Sequence, residues 1–221
     1  MKKTIIVSLL AVAITIAVSG CRHHSGSGVR GSGNRVTEKR ELSSFKAIDS
    51  EGAFEFEITC QKPVSVSIEG DDNLLPLIQS DVRDGVLYLR TEKGYNSRSS
   101  VALRIAVPNL ESIKAAGAGK FYISDVKNDK FTVQATGATA LTALGETKSV
   151  EIHNTGAGKI DTNSLHAQKA KVDISGAASV DVYASEQLDA SVSGVGRVSY
   201  SGNPKTVNKN VSGMGIVAAK D

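Results

Sequence analysis

Tryptophan is absent from this 221-residue chain, and Phe and Tyr supply only five residues each. That scarcity argues against an aromatic platform on which sugar rings stack, although sugar can still be bound through polar groups. Only two cysteines occur, Cys21 and Cys60. Cys21 falls at a processing site described below, so no intramolecular disulfide is expected in the mature chain. Charge of one sign is also missing. Once the leader with Lys2 and Lys3 is set aside, 24 basic and 23 acidic residues remain, a formal charge of +1. Such a chain has no electrostatic case for nucleic acid or for adhering to an acidic membrane surface.

Glycine, by contrast, is abundant and ordered. Six segments recur: Ala-Gly-Ala-Gly at 116–119, Thr-Gly-Ala-Thr at 136–139, Thr-Gly-Ala-Gly at 155–158, Ser-Gly-Ala-Ala at 175–178, Ser-Gly-Val-Gly at 193–196 and Ser-Gly-Met-Gly at 212–215. Their leading glycines, Gly117, Gly137, Gly156, Gly176, Gly194 and Gly213, stand 18 to 20 residues apart. A fixed period of about 20 residues is the mark of a repeat architecture. Four residues before each glycine stand Ile113, Val133, Ile152, Val172, Ala190 and Lys209, and two before stand Ala115, Ala135, Asn154, Ile174, Val192 and Val211. Lys114, Gln134, His153, Asp173, Ser191 and Asn210 lie between them. This alternation has period 2, as in a strand with one buried face. Four residues after the glycine stand Phe121, Leu141, Ile160, Val180, Val198 and Val217, an inward column.

The pattern predicts an all-β fold: a right-handed parallel β-helix or solenoid of about six to seven coils with an N-terminal strand-rich cap. Its six glycine repeats would form a rod on the order of 25–30 Å long. Glycine suits the bend because it tolerates positive φ and leaves no side chain to clash. A β-sandwich of hairpins competes, but hairpins alternate direction and would not keep one residue class at one offset. The last repeat, with Lys209 in an inward column, is atypical, as expected where a solenoid must end without a sticky edge.

Residues 45–59 look like a first coil, with Ile48, Gly52 and Phe56 at the repeat offsets. Residues 64–68 and 101–107 alternate as strands, and Asp84-Gly85 marks a hairpin turn before 86–90. Asp71-Asp72-Asn73 followed by Leu74 to Ile78 predicts a capped short helix with Pro76 in its first turn. Residues 93–100 are polar and read as a loop. The expected organisation is a signal peptide at 1–20, a flexible tether at 21–40 and one domain at 41–221, with a cap at 41–112 and glycine repeats at 113–221. Cys60 follows Phe54, Phe56 and Ile58 at period 2 and is expected to pack as a small apolar residue.

At the N-terminus, Lys2 and Lys3 precede an apolar run and Val18-Ser-Gly-Cys21. These are the parts of a secretory signal with a small-residue cleavage site. The cysteine after Ser-Gly resembles the lipobox of bacterial lipoproteins, which implies acylation of Cys21 and anchoring to a membrane. His23 and His24 are too weak a pair to predict a metal site, and neither a metal nor a cofactor is expected.

Gly70 to Ile78, then Asp84-Gly-Val-Leu-Tyr-Leu89, then Ile105 to Leu110 leading into the glycine repeats together resemble the bacterial head GIN domain family, described as a "putative auto-transporter adhesin head". The resemblance spans about 45–217. It implies a β-helical, envelope-associated protein, often a lipoprotein, and implies no activity.

Catalytic motifs are scarce. Gly117-Ala-Gly-Lys120 and Gly156-Ala-Gly-Lys159 lack the upstream glycine and following Ser or Thr of a phosphate loop, and Tyr122 and Asp161 stand where a dinucleotide motif needs its third glycine. The sharper enzymatic alternative is a β-helix polysaccharide hydrolase or lyase using Asp161, Asp173 and Asp181, since such chemistry needs clustered carboxylates. Asp161 and Asp181 share a column, and a stacked pair would raise one pKa by repulsion; His153 matches Asp173 one repeat earlier. The expectation is instead a non-enzymatic, lipid-anchored envelope protein that presents a surface to a polysaccharide or an envelope protein. A structural periplasmic lipoprotein without a ligand is the remaining alternative. The outer membrane or cell surface is the expected location.

Overall fold

The computed structural model describes residues 28–220; Cys21, His23, His24 and the signal segment lie outside them. The fold is all-β: strands make up 71%, and one 3-10 turn at Leu75–Leu77 stands in place of any α-helix among the described residues. No closed barrel is formed.

Two parallel ladders organise the glycine segments. The post-glycine ladder joins residues 118–123 and 138–143 to Ala157–Thr162, Ala177–Tyr183, Val195–Ser201 and Met214–Ala219. The pre-glycine ladder joins 126–135 and 145–154 to Leu165–Ile174, Gln187–Val192 and Thr206–Val211. Ala47–Thr59 runs beside Ser112–Ala135 with Ile48 opposite Ile113, Gly52 opposite Gly117 and Phe56 opposite Phe121, the offsets expected of an earlier copy of the same unit. Parallel pairing at constant offset rules out a hairpin sandwich for this half, because hairpins reverse strand direction.

The inward columns are buried as the alternation requires: Ile113, Val133, Ile152, Val172 and Ala190 before the glycines, Phe121, Leu141, Ile160, Val180 and Val198 after them. One apolar cluster extends from Phe45 to Val198. Phe56 and Phe121 stack within it, their centroids 4.4 Å apart. Cys60 is fully buried there, and burial pushes its thiol up to about 11.

The glycine column has a different cause from the one its bend suggests. Within this column of leading glycines, only Gly52 and Gly117 take positive φ. The constraint on the others is approach: a Cβ on Gly137 would sit 1.8 Å from the Gly117 carbonyl oxygen, and on Gly156, Gly176 and Gly194 within 2.0 Å of the oxygen of the preceding glycine. Backbone presses on backbone along the whole column, and any side chain would separate the strands.

Other expectations are revised by long-range contacts. Residues 28–40, expected within a flexible tether at 21–40, contain strands at Val29–Arg30 and Arg35–Arg40. The first pairs with Tyr95–Asn96 inside the segment expected to be loop, and the second runs antiparallel to Ser65–Asp71. Asp71-Asp72-Asn73 does not cap the following turn, whose N-cap is Leu74 without a side-chain bond. Instead it clamps the N-terminal segment. Ser32 Oγ and Asn34 Nδ2 donate to Asp72 at 2.6 and 2.8 Å, and these bonds hold its carboxyl below the ordinary range. Asn73 donates to the Arg30 carbonyl at 2.8 Å and accepts from the Ser32 amide at 2.9 Å. The Asp84-Gly85 turn forms as read, with both residues at positive φ between antiparallel strands.

At the C-terminal end, Thr206–Val211 and Met214–Ala219 each pair on one side only. Lys209 is exposed; its ammonium donates to the Val217 carbonyl at 3.1 Å and lies over the Tyr200 ring. Val211, Met214 and Ile216 remain exposed at this end.

Candidate functional site

Three outward columns run along the post-glycine ladder. Register places Ala53, Ala118, Ala138, Ala157, Ala177, Val195 and Met214 in the first. The second holds Glu55, Lys120, Ala140, Lys159, Ser179, Arg197 and Ile216, and the third Glu57, Tyr122, Thr142, Asp161, Asp181, Ser199 and Ala218. From Ala118 to Met214 the first column is exposed in every member. It is a strip of apolar methyls standing out from paired backbone.

At its N-terminal part this strip becomes the floor of a groove of about 680 Å3. Ala118, Ala138 and Ala157 form the floor with Lys120 and Lys159 beside them, and residues 95–100 wall it, bonded to Ala53 and Glu55 at the head of the same columns. The wall is held in place from three directions. Tyr95 donates its hydroxyl to the Ala53 carbonyl, and burial pushes that phenol up to about 12. The Gly31 amide donates to the Asn96 carbonyl at 2.9 Å. Ser97 Oγ donates to Asp71 at 2.8 Å, and Ser100 Oγ to Glu55 at 3.1 Å. A Cβ on Gly31 would fall 1.8 Å from Asp71 Oδ2, so a larger residue here would have to displace that carboxylate from Ser97.

The three aspartates separate into two places. Asp161 and Asp181 are register partners, as their shared column predicts. The Asn163 amide donates to Asp161 at 3.1 Å, and Lys220 lies 3.9 Å from Asp181. Asp173 stands on the pre-glycine ladder, beyond the glycine bend, where it meets His153 Nδ1 at 3.1 Å and Lys171 at 3.6 Å. The glycine bend therefore separates Asp173 from the adjacent pair Asp161 and Asp181. No cluster of three or more metal-ligating side chains occurs among the described residues.

The groove wall was not legible from sequence. Its only local signal was a polar run, Tyr95 to Ser100; what makes it a wall is pairing with residues 66 positions earlier in the chain.

Fold and surface together define a class: an all-β head with a long, exposed sheet face and a lateral groove. The chain belongs to the family described as "Putative auto-transporter adhesin, head GIN domain", whose model matches residues 44–204. Among solved structures, it is similar to a "putative adhesin" from Bacteroides fragilis at 22% identity and TM-score 0.69, covering 87% of this chain and all of that one. A "putative adhesin" from Parabacteroides distasonis is similar at 19% identity and TM-score 0.64, with 87% and 100% covered. A "Putative lipid binding protein" from the same species is similar at 19% identity and TM-score 0.53, with 87% and 99% covered. At these identities the likeness concerns the fold. No curated protein matches the chain.

Proposed function

We propose that this is a lipid-anchored protein of the bacterial cell envelope whose post-glycine face binds an extended polymer or envelope partner. In this reading Cys21 is acylated and anchors the chain, at the outer membrane or cell surface. Residues 28–220 form one right-handed parallel β-solenoid closed at its N-terminal end by the antiparallel strands around Ser65–Asp71. The two parallel ladders and the continuous apolar cluster support that architecture.

One observation carries the binding role: the groove opens along the ladder, floored by small residues and flanked by lysines. Small floor residues let a chain-like ligand lie close to the sheet, and the wall supplies amide and hydroxyl groups. Catalysis is not part of this reading: Asp173 stands on a different ladder, and the remaining pair, Asp161 and Asp181, lies outside the groove lining.

Ala138→Trp tests the groove without changing charge. Ala138 is exposed, so the variant keeps its melting temperature while its ring fills the floor. On immobilised polysaccharides and envelope fractions, binding should fall at least tenfold. Unchanged binding would remove the groove from the account. Protease shaving of intact cells, read by a tag near Asp221, tests location: protection until the envelope is opened would place the protein inside and exclude adhesion. Release of Cys21→Ser into the soluble fraction is the expected sign of the anchor.

A further inference from the structure

The groove lies beside a regular row of cations. Lys120, Lys159 and Arg197 occupy one column, each two ladder steps from the next, with small Ala140 and Ser179 between them. At about 4.8 Å per step they recur about every 9.6 Å. Several lysines elsewhere meet carboxylates: Lys114 meets Asp49 at 2.9 Å, Lys130 meets Glu151 at 2.8 Å and Lys148 meets Asp129 at 2.8 Å. Among the described residues, the three column cations have no such partner. All three are exposed.

Resting on the reading of this face as a binding surface, we propose that its occupant is an extended anionic polysaccharide with one acidic group per disaccharide. Spacing selects the polymer. A polypeptide strand returns side chains to one side about every 6.7 Å, out of step with the cations. Nucleic-acid phosphates recur about every 3.4 Å along a strand, which is too dense. A pyranose in an extended glycan advances the chain by about one ladder step, so an acid on alternate sugars keeps pace with the row. A polyproline helix also comes close, at about 9.3 Å per turn, but such helices dock in aromatic-lined grooves, and this floor is alanine.

The surrounding chemistry fits the same occupant. On the groove side, Asn96, Arg98 and Ser99 offer donors suited to sugar hydroxyls. On the other side stand Glu57, Asp161 and Asp181, whose charge holds a polyanion over the alanine and cation columns. The two aspartates thereby position the ligand.

The test measures binding of hyaluronan oligosaccharides long enough to span the ladder, with cello-oligosaccharides and an (Asp-Pro-Pro) repeat peptide as comparators. Hyaluronan should bind, and binding should weaken with salt. Lys120→Gln/Lys159→Gln/Arg197→Gln should lower affinity about 30-fold, at about threefold per exposed ion pair. Lys127→Gln/Lys148→Gln/Lys169→Gln should leave it unchanged. Lys159→Gln/Ser179→Lys keeps net charge but moves the middle cation one step; it should lose about threefold. Equal loss in both triple variants would reduce the effect to net charge and overturn the proposal. Binding of the neutral glycan or the peptide alone, abolished by Ala138→Trp, would overturn it while leaving the groove intact. Failure of all three probes overturns it as well.

Discussion

Gly156→Ala adds a single methyl group and should be among the most damaging such changes in the chain. The added Cβ would sit 2.0 Å from the Gly137 carbonyl oxygen. That oxygen accepts the Ala157 amide at 3.0 Å, so the clash falls on an acceptor already in use. Relief needs more than an ångström of strand separation. Overpacking of this kind costs about 1–3 kcal/mol, and an amide left short of its partner about 1–3 kcal/mol more. Alanine returns about 0.4–1 kcal/mol by restricting the unfolded chain. The net loss is about 3 kcal/mol, or about 6–12 °C in a chain of this length. Thermal unfolding of the Cys21→Ser chain, followed by circular dichroism, measures it. Gly94→Ala is the control: a Cβ there meets nothing within 4 Å and the backbone is not at positive φ, so it should melt with or slightly above the parent. Should Gly156→Ala melt with the control, the backbone-contact account of the glycine column is wrong.

Asn154 holds an inward position at 1% exposure, and neither the oxygen nor the nitrogen of its amide is hydrogen-bonded among the described residues, so Asn154→Val should raise stability by about 1–2 kcal/mol, measured by urea unfolding. Asp72→Ala should free the segment at 28–34, read as faster hydrogen exchange at the Val29 and Gly31 amides, which are bonded to Gly94 and Asn96. The Asp72 carboxyl is held low in the fold, so its contribution is present above the ordinary aspartate range and lost as pH falls through the folded value. The same amides should therefore lose protection in acid; protection independent of pH would refute the clamp. Cys60, buried with its thiol near 11, should resist a thiol reagent at pH 8 and react only as the chain unfolds. Rapid labelling of the folded chain would show that the core opens around it.

The repeating half of the fold was legible because one rule generates it. A residue class held at one offset from glycine can only mean like stacked on like, and the register follows. The rest depends on partners far away in sequence. Asp71-Asp72-Asn73 is as apt to cap a helix as to clamp a strand, since both use side-chain oxygens to accept backbone or hydroxyl protons. Which protons arrive was decided by residues about 40 positions upstream. For the same reason residues 28–34 read as tether: their order comes from the partners they meet, not from their own composition. The separation of Asp173 from Asp161 and Asp181 was implicit in the glycine bend, because residues before and after a bend belong to different ladders. The groove needed both the legible alanine column and the illegible wall.

The core is also graded along its length. Phe45, Phe54, Phe56, Phe121 and Phe131 all lie toward the N-terminal end, and the inward columns then pass to Ile, Val and Ala before ending beside an exposed Lys209. Each level leans mainly on its neighbours. A pull or a thermal fluctuation should therefore open the molecule like a zip from its C-terminal tip, one rung at a time. The aromatic end would hold longest. Opening is then confined to the tip, and a frayed rung can close again on the template below it.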